Sequence, residues 1–123
     1  MNWIIFIAVI CLAAVSAAEL YTDRYDDLNV DEIMQNKRLM DAYMNCVLGK
    51  GKCTAEGKAL KAHIQDAIQS SCAKCTEKQR QKSRKVVNHV RANEKNYWQQ
   101  LKTKYDPEEV YKSNYETFLA NND

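Results

Sequence analysis

Cys72-Ala73-Lys74-Cys75 is a C-x-x-C pair, a spacing that serves three different chemistries. It can shuttle electrons if one thiolate is stabilised, form half of a zinc site, or close as a structural staple. The rest of the cysteines narrow the choice. The chain holds five, Cys11, Cys46, Cys53, Cys72 and Cys75. Cys11 lies in an apolar opening, MNWIIFIAVICLAAVSAA, which carries no Lys, Arg, Asp or Glu. An apolar run of this length followed by small residues and then Glu19 reads as a leader peptide over residues 1–18, with cleavage after Ala17 or Ala18. The run is short for a membrane span, which takes about 20 apolar residues. Residues 19–123 then form one domain, secreted into an oxidising compartment, where an even number of cysteines reads as two disulfides. Three pairings are open; the spacing favours the local ones, Cys46–Cys53 and Cys72–Cys75.

Redox catalysis by Cys72 and Cys75 calls for a lowered thiol pKa, ordinarily at a helix start that follows a strand. Lys74 and a following helix could assist, but the sequence offers no strand. Zinc would need four thiolates in a reducing compartment, and the Cys46-x6-Cys53 spacing is loose for a structural site. The expectation is staples, with no metal and no cofactor. Other catalytic patterns are missing from the sequence. Ser70-Ser71 has no G-x-S-x-G around it, no glycine-rich phosphate loop occurs, and the two histidines, His63 and His89, stand apart. His63 lies beside Leu60 and Ile64 and reads as a histidine at the boundary of a core. The chain reads as a non-enzyme.

One proline and three glycines in 123 residues, with many Lys, Gln and Glu, point to an all-α domain. Residues 19–28 read as extended. Asn29 caps a short helix to about residue 35. A second helix, about 37–48, carries Leu39, Met40, Tyr43 and Val47 on one face and ends at Gly49. Thr54 caps a third, about 55–70, with Leu60, Ile64, Ala67 and Ile68 inward. Thr76 and Gln79 open a fourth, about 77–92, whose buried face is Val86, Val87 and Val90. The fifth, about 94–104, turns Tyr97, Trp98 and Leu101 inward. Asp106-Pro107 reads as a cap and first helical residue of a sixth, about 107–119, through Val110, Tyr111, Tyr115, Phe118 and Leu119.

The net charge of +2 is too small for a protein built around nucleic acid. Lys78, Arg80, Lys82, Arg84 and Lys85 form a basic run that reads as a solvated face opposite the valines. Its alternative use is attraction to an acidic receptor, membrane or ligand carboxylate. The apolar stripes are rich in Tyr, Met and Trp, residues that fill a packed core and equally line an adaptable cavity.

The four-cysteine spacing Cys46-x6-Cys53-x18-Cys72-x2-Cys75 resembles that of the insect chemosensory proteins. The opening YTDRYDDLNVDEIMQNKRLMDAYMNC, the block GKGKCTAEGKALKAHIQDAI, and CAKCTEKQ with YWQQLKTKYDPE are similar to that family from about Tyr21 to Tyr115. The resemblance implies six α-helices around an internal hydrophobic channel, local disulfides, and reversible binding of long-chain fatty acids, alcohols, esters, aldehydes and similar semiochemicals. It places Tyr25, Tyr43 and Trp98 at the ligand. Leu39, Met40, Val47, Ile64, Ile68, Val87 and Leu101 are then the expected apolar lining. The expected partners are a small hydrophobic ligand and a membrane receptor, with the protein a monomer. Asp41 departs from the family by placing a charge beside the channel helix, and the tail after Tyr115 is short. A reading of another class is a secreted signalling or developmental factor acting by protein contact, for which the basic run would matter more than Trp98.

Overall fold

The structure is a computed structural model that describes residues 20–121; the leader read at 1–18 lies outside them. The described residues form six helices: α1 (Val30–Gln35), α2 (Lys37–Val47), α3 (Ala55–Ser70), α4 (Glu77–Asn93), α5 (Lys95–Tyr105) and α6 (Lys112–Ala120). No strand occurs among them. None of the helices is long and apolar enough to cross a membrane.

Short polar side chains set most of the helix starts, because the first N–H groups of a helix have no partner within it. Asn29 accepts from the Glu32 N–H, Asn36 from those of Arg38 and Leu39, and Thr54 from that of Gly57. Thr76 accepts from the Gln79 N–H while the Gln79 side chain accepts from the Thr76 N–H, a reciprocal capping box. Thr76→Ala should therefore lower the unfolding free energy by about 1 kcal/mol in urea titration. A change within experimental error would show that tertiary contacts of Gln79, not the cap, hold this turn. Helix α2 ends where Gly49 takes a left-handed φ of 75°, open to glycine without a Cβ penalty.

Helix α3 is the hub, packed against α2, α4, α5 and α6, while α1 bridges α2 and α4. The stripe expected from periodicity is the core: Leu60, Ile64, Ala67 and Ile68 of α3 meet Val86, Val87 and Val90 of α4, with Met40, Met44 and Val47 of α2 closing one side. Tyr105 reaches from α5 to donate its hydroxyl to the Val47 carbonyl at 2.5 Å. Both disulfides form as local pairs, Cys46–Cys53 and Cys72–Cys75.

Three expectations change. Pro107 does not begin a helix. Residues 107–111 form turns, and α6 starts at Lys112. Asp106 is buried and its carboxylate accepts from the Tyr111 N–H, so the side chain read as a helix cap instead closes a turn in which Glu109 adopts a φ of 58°. Val110, placed on the buried stripe, is 65 % exposed as a result. Residues 23–28 are not extended but turned, with Asp26 N–H on the Asp23 carbonyl and Leu28 N–H on that of Tyr25. The basic run is also not one solvated face. Arg84 is buried, donates to the Phe118 carbonyl at 2.8 Å and lies over the Phe118 ring. Lys82 points under the N-terminal segment, onto the carbonyls of Asp26 and Leu28.

Candidate functional site

Residues three and four apart share a helix face, and on α2 that rule gathers Leu39, Ala42, Tyr43 and Cys46 along one edge. Facing them stand Thr54 and Gly57 at the start of α3, with Lys52 from the connecting loop at the rim. The Cys46–Cys53 disulfide ties the end of α2 to the residue before the α3 cap and so fixes both walls. Gly57 makes the close approach possible. A Cβ there would lie 3.1 Å from Cys46 Sγ, so even a methyl would need the disulfide to give by a few tenths of an ångström. The result is a mainly apolar groove of about 190 Å³. Ligand pockets for drug-sized molecules run to about 300–1,000 Å³, so the groove has room for only part of such a molecule.

Tyr43 is half-buried in this wall. Burial, and then the carboxylates of Glu56 and Glu32, push its hydroxyl pKa up, so it stays a neutral phenol and a hydrogen-bond donor. The groove therefore offers hydrocarbon, one phenol, one lysine and the Thr54 hydroxyl, which already accepts from the Gly57 N–H. That set can hold an amphiphile in place; it contains no nucleophile with a base beside it.

The other expected site residues lie elsewhere. Tyr25 lines a small pocket of about 20 Å³ with Leu28, Val30, Leu60 and His63, between the N-terminal segment and helices α3 and α4. Trp98 is in the core at 8 % exposure, edge-on to Tyr115 with ring centroids 5.7 Å apart. Arg91 and Lys102 sit over its ring at 5.3 and 5.7 Å. Met40, Val47, Ile64, Ile68, Val87 and Leu101 are buried and pack on one another. So Leu39 and Tyr43 share a groove, Tyr25 lies in a second space, and Trp98 lies with the remaining apolar residues in the packed interior. Sequence reasoning missed Ala42, Lys52, Thr54 and Gly57 in the groove, and Met44, which is fully buried beside Met40 and Val47. Met44 lies at i+4 from Met40, a signal that was there to find. Gly57 carried none, since nothing local tells a glycine against a disulfide from any other.

Asp41, the departure noted beside the channel helix, faces outward. It accepts from the Tyr97 hydroxyl at 2.6 Å and pairs with Lys37 at 3.1 Å, and these contacts hold its pKa below the ordinary carboxylate value. The C-x-x-C disulfide is enclosed, with Cys72 and Cys75 at 0 % and 6 % exposure. Its turn is knotted to Asp66, whose backbone carbonyl accepts from the Cys72 N–H and whose carboxylate accepts from the Lys74 N–H, both at 3.0 Å. No cluster of His, Cys, Asp or Glu that could hold a metal occurs among the described residues.

The basic face used by the protein-contact reading is largely matched within the chain. Lys78 pairs with Asp27 at 3.7 Å and Lys85 with Asp31 at 2.6 Å, across an open cleft that carries both signs of charge.

Fold and groove together define a small α-helical binding domain held by two local disulfides. A family model described as the insect pheromone-binding family, A10/OS-D, matches residues 21–113, and the chain belongs to that family. It is 43 % identical over 115 residues to ejaculatory bulb-specific protein 3 of Drosophila melanogaster, covering 94 % of this chain and 91 % of that protein. Among solved structures, a chemosensory protein in complex with bromo-dodecanol matches at 50 % identity and a TM-score of 0.69, over 79 % of this chain and 97 % of that one. The antennal chemosensory protein A6 of the moth Mamestra brassicae matches at 49 % identity and a TM-score of 0.70, over 80 % of this chain and 92 % of that one. The protein is thus an insect chemosensory protein by family, and these are binding proteins rather than enzymes.

Proposed function

We propose that the protein is a secreted, monomeric carrier that holds small hydrophobic molecules reversibly and without covalent chemistry. Long-chain alcohols, fatty acids, esters and aldehydes are the ligand classes, and a membrane receptor is the second partner. The observation that carries this reading is the apolar groove of Leu39, Ala42, Tyr43 and Cys46 on α2, whose opposite face is the buried Met40, Met44 and Val47. The relative solved with bromo-dodecanol, at 50 % identity, supports the same class of ligand here.

The groove admits the chain end and Tyr43 offers a hydrogen bond to a polar head. A longer chain then needs room inside. Methionine supplies it, because an unbranched thioether re-packs at small cost. Met40 and Met44 lie one turn apart behind the groove, and Ile64, Ile68, Val87, Leu101 and Trp98 are the apolar surroundings that an inserted chain would meet. Each buried CH₂ contributes about 0.8 kcal/mol. Ordering and core rearrangement offset much of it, so dissociation constants near the micromolar range are expected, with loose specificity.

Displacement of an apolar reporter dye by dodecanol and by a long-chain fatty acid tests this. The wild-type protein should show saturable displacement at micromolar ligand. Ala42 is exposed and lines the groove, so Ala42→Phe fills it without touching the core. Affinity should fall at least about tenfold, a loss of about 1.4 kcal/mol, with an unchanged urea midpoint. No displacement from the wild type would sink the carrier reading. Equal affinity in the variant would move the entrance away from this groove.

A further inference from the structure

Residues 20–28 belong to no helix, yet they are fastened across α3 and α4 by a definite set of bonds. The Tyr21 N–H donates to the Lys74 carbonyl at 2.8 Å. The Gln79 amide, 2 % exposed, donates to the Thr22 carbonyl at 2.7 Å and to the Asp26 carboxylate at 2.8 Å. Lys82 Nζ donates to the carbonyls of Asp26 and Leu28, the latter at 2.9 Å. The fastening is polar; Tyr21 and Leu28 add apolar contact at the core edge. A segment held mainly by a few polar bonds belongs to the low-stability end of a fold.

His63 sits under this strap. Its ring lies 4.9 Å from that of Tyr21, and it lines the small pocket with Tyr25, Leu28, Val30 and Leu60. The charged and titratable groups facing it come from the strap, α3 and α4, while α1 contributes only the apolar Val30. The strap contributes Tyr21, Tyr25 and Asp26, α3 contributes Asp66, and α4 contributes Lys82, with Gln79 and Ser83 as neutral neighbours. Burial lowers the His63 pKa from its ordinary value, and it outweighs the opposing pull of Asp26 and Asp66. An imidazolium here would share the pocket with the Lys82 ammonium. The space, about 20 Å³, has room for about one water. His63 is partly buried, so a cation on its ring is poorly hydrated while the strap covers it.

We infer that His63 is an acid-sensitive latch: protonating its ring releases the strap of residues 20–28 from the face of α3 and α4. The released strap carries Tyr25 away and uncovers Leu60 and the ring of His63, a way into the bundle separate from the α2 groove. The sign follows from the lowered pKa. The open form binds the proton more tightly than the closed one. Closure is therefore strongest above the ordinary histidine pKa and weakens as pH falls through that value towards the lowered one, where the loss is complete.

Hydrogen exchange on the oxidised domain between about pH 7.5 and about pH 5 reads the latch directly. After correction for intrinsic rates, protection of the Tyr21 and Leu28 amides should fall about three- to tenfold, while amides within α3 hold theirs. His63→Gln, which cannot titrate, should lose the pH step. In the unsubstituted protein the His63 ring proton and the Tyr21 and Leu28 amide shifts should follow one titration curve by NMR. The inference fails if His63 titrates and the strap amides do not follow, if His63 stays neutral to about pH 4, or if His63→Gln keeps the step. These readouts involve no ligand, so failure of the carrier reading and failure of the latch are distinguishable.

Discussion

Tyr115→Ala is expected to lower the unfolding free energy by about 3–5 kcal/mol, a large part of the roughly 5–15 kcal/mol available to a domain of this size. Tyr115 is 1 % exposed. It belongs to α6, which packs on α3 and α4, and meets Trp98 of α5 edge-on at 5.7 Å. Truncation removes the ring that joins these elements and leaves a cavity that α6 cannot collapse into, because Arg84, Asn88 and Arg91 tether α6 to α4 through the Phe118 carbonyl, the Leu119 carbonyl and Glu116. Urea unfolding gives the size of the loss. Trp98 emission should shift to the red as water enters beside it. The measurement also decides between two interiors. A cost under about 1 kcal/mol would mean that Tyr115 borders space already open, since loss scales with the cavity created.

Periodicity carried the helices and the core because both follow from local rules. Apolar residues at 3–4 spacing and a Ser, Thr or Asn cap put Ile64, Val87 and Leu101 inside without reference to the rest of the chain. The misreadings come where one residue's role depends on a distant partner. Asp106-Pro107 satisfies the local rule for a helix start, yet Asp106 is buried in a turn and the helix begins at Lys112. Lys82 and Arg84 look like solvent lysine and arginine on α4. What turns them inward is backbone carbonyl groups more than 30 residues away, at Asp26, Leu28 and Phe118, which accept their side-chain donors. The groove was half legible for the same reason. Leu39 and Tyr43 follow from α2 alone, whereas its second wall requires knowing that Cys46–Cys53 folds Thr54 and Gly57 back against them. Trp98 shows the limit of position as evidence: an inward-facing aromatic is legible, but whether it faces a neighbour or a space is set by the packing of Tyr115.

Lys82→Glu should free the N-terminal strap at neutral pH, and comparison with Lys78→Glu/Lys85→Glu separates two uses of the basic helix. Lys82 Nζ serves two backbone carbonyls in a partly buried site, beside the Asp26 carboxylate. A hydrogen bond from a charged donor contributes about 1.5–3 kcal/mol when its loss strands the acceptors. The substituted carboxylate also faces Asp26 and the two carbonyl oxygens with the same sign of charge. Strap docking should therefore weaken by about 2–3 kcal/mol, which appears as roughly 30- to 150-fold faster exchange at Tyr21 and Leu28. Core amides of α3 should change far less, because the strap opens locally rather than with the whole domain. Lys78 and Lys85 hold only exposed pairs with Asp27 and Asp31, and exposed pairs contribute about 0–1 kcal/mol. Asp27 belongs to the strap, so their double reversal should speed strap exchange at most about fivefold, far less than Lys82→Glu, and leave dye displacement unchanged. A protein-contact function resting on the basic face would instead be lost in Lys78→Glu/Lys85→Glu with the fold and ligand affinity intact. Reversing all three lysines together would confound the two, since any defect could come from the strap. Equal exchange in Lys82→Glu and wild type would show that the two carbonyls find water at no cost, and that Gln79 and Tyr21 hold the strap without it.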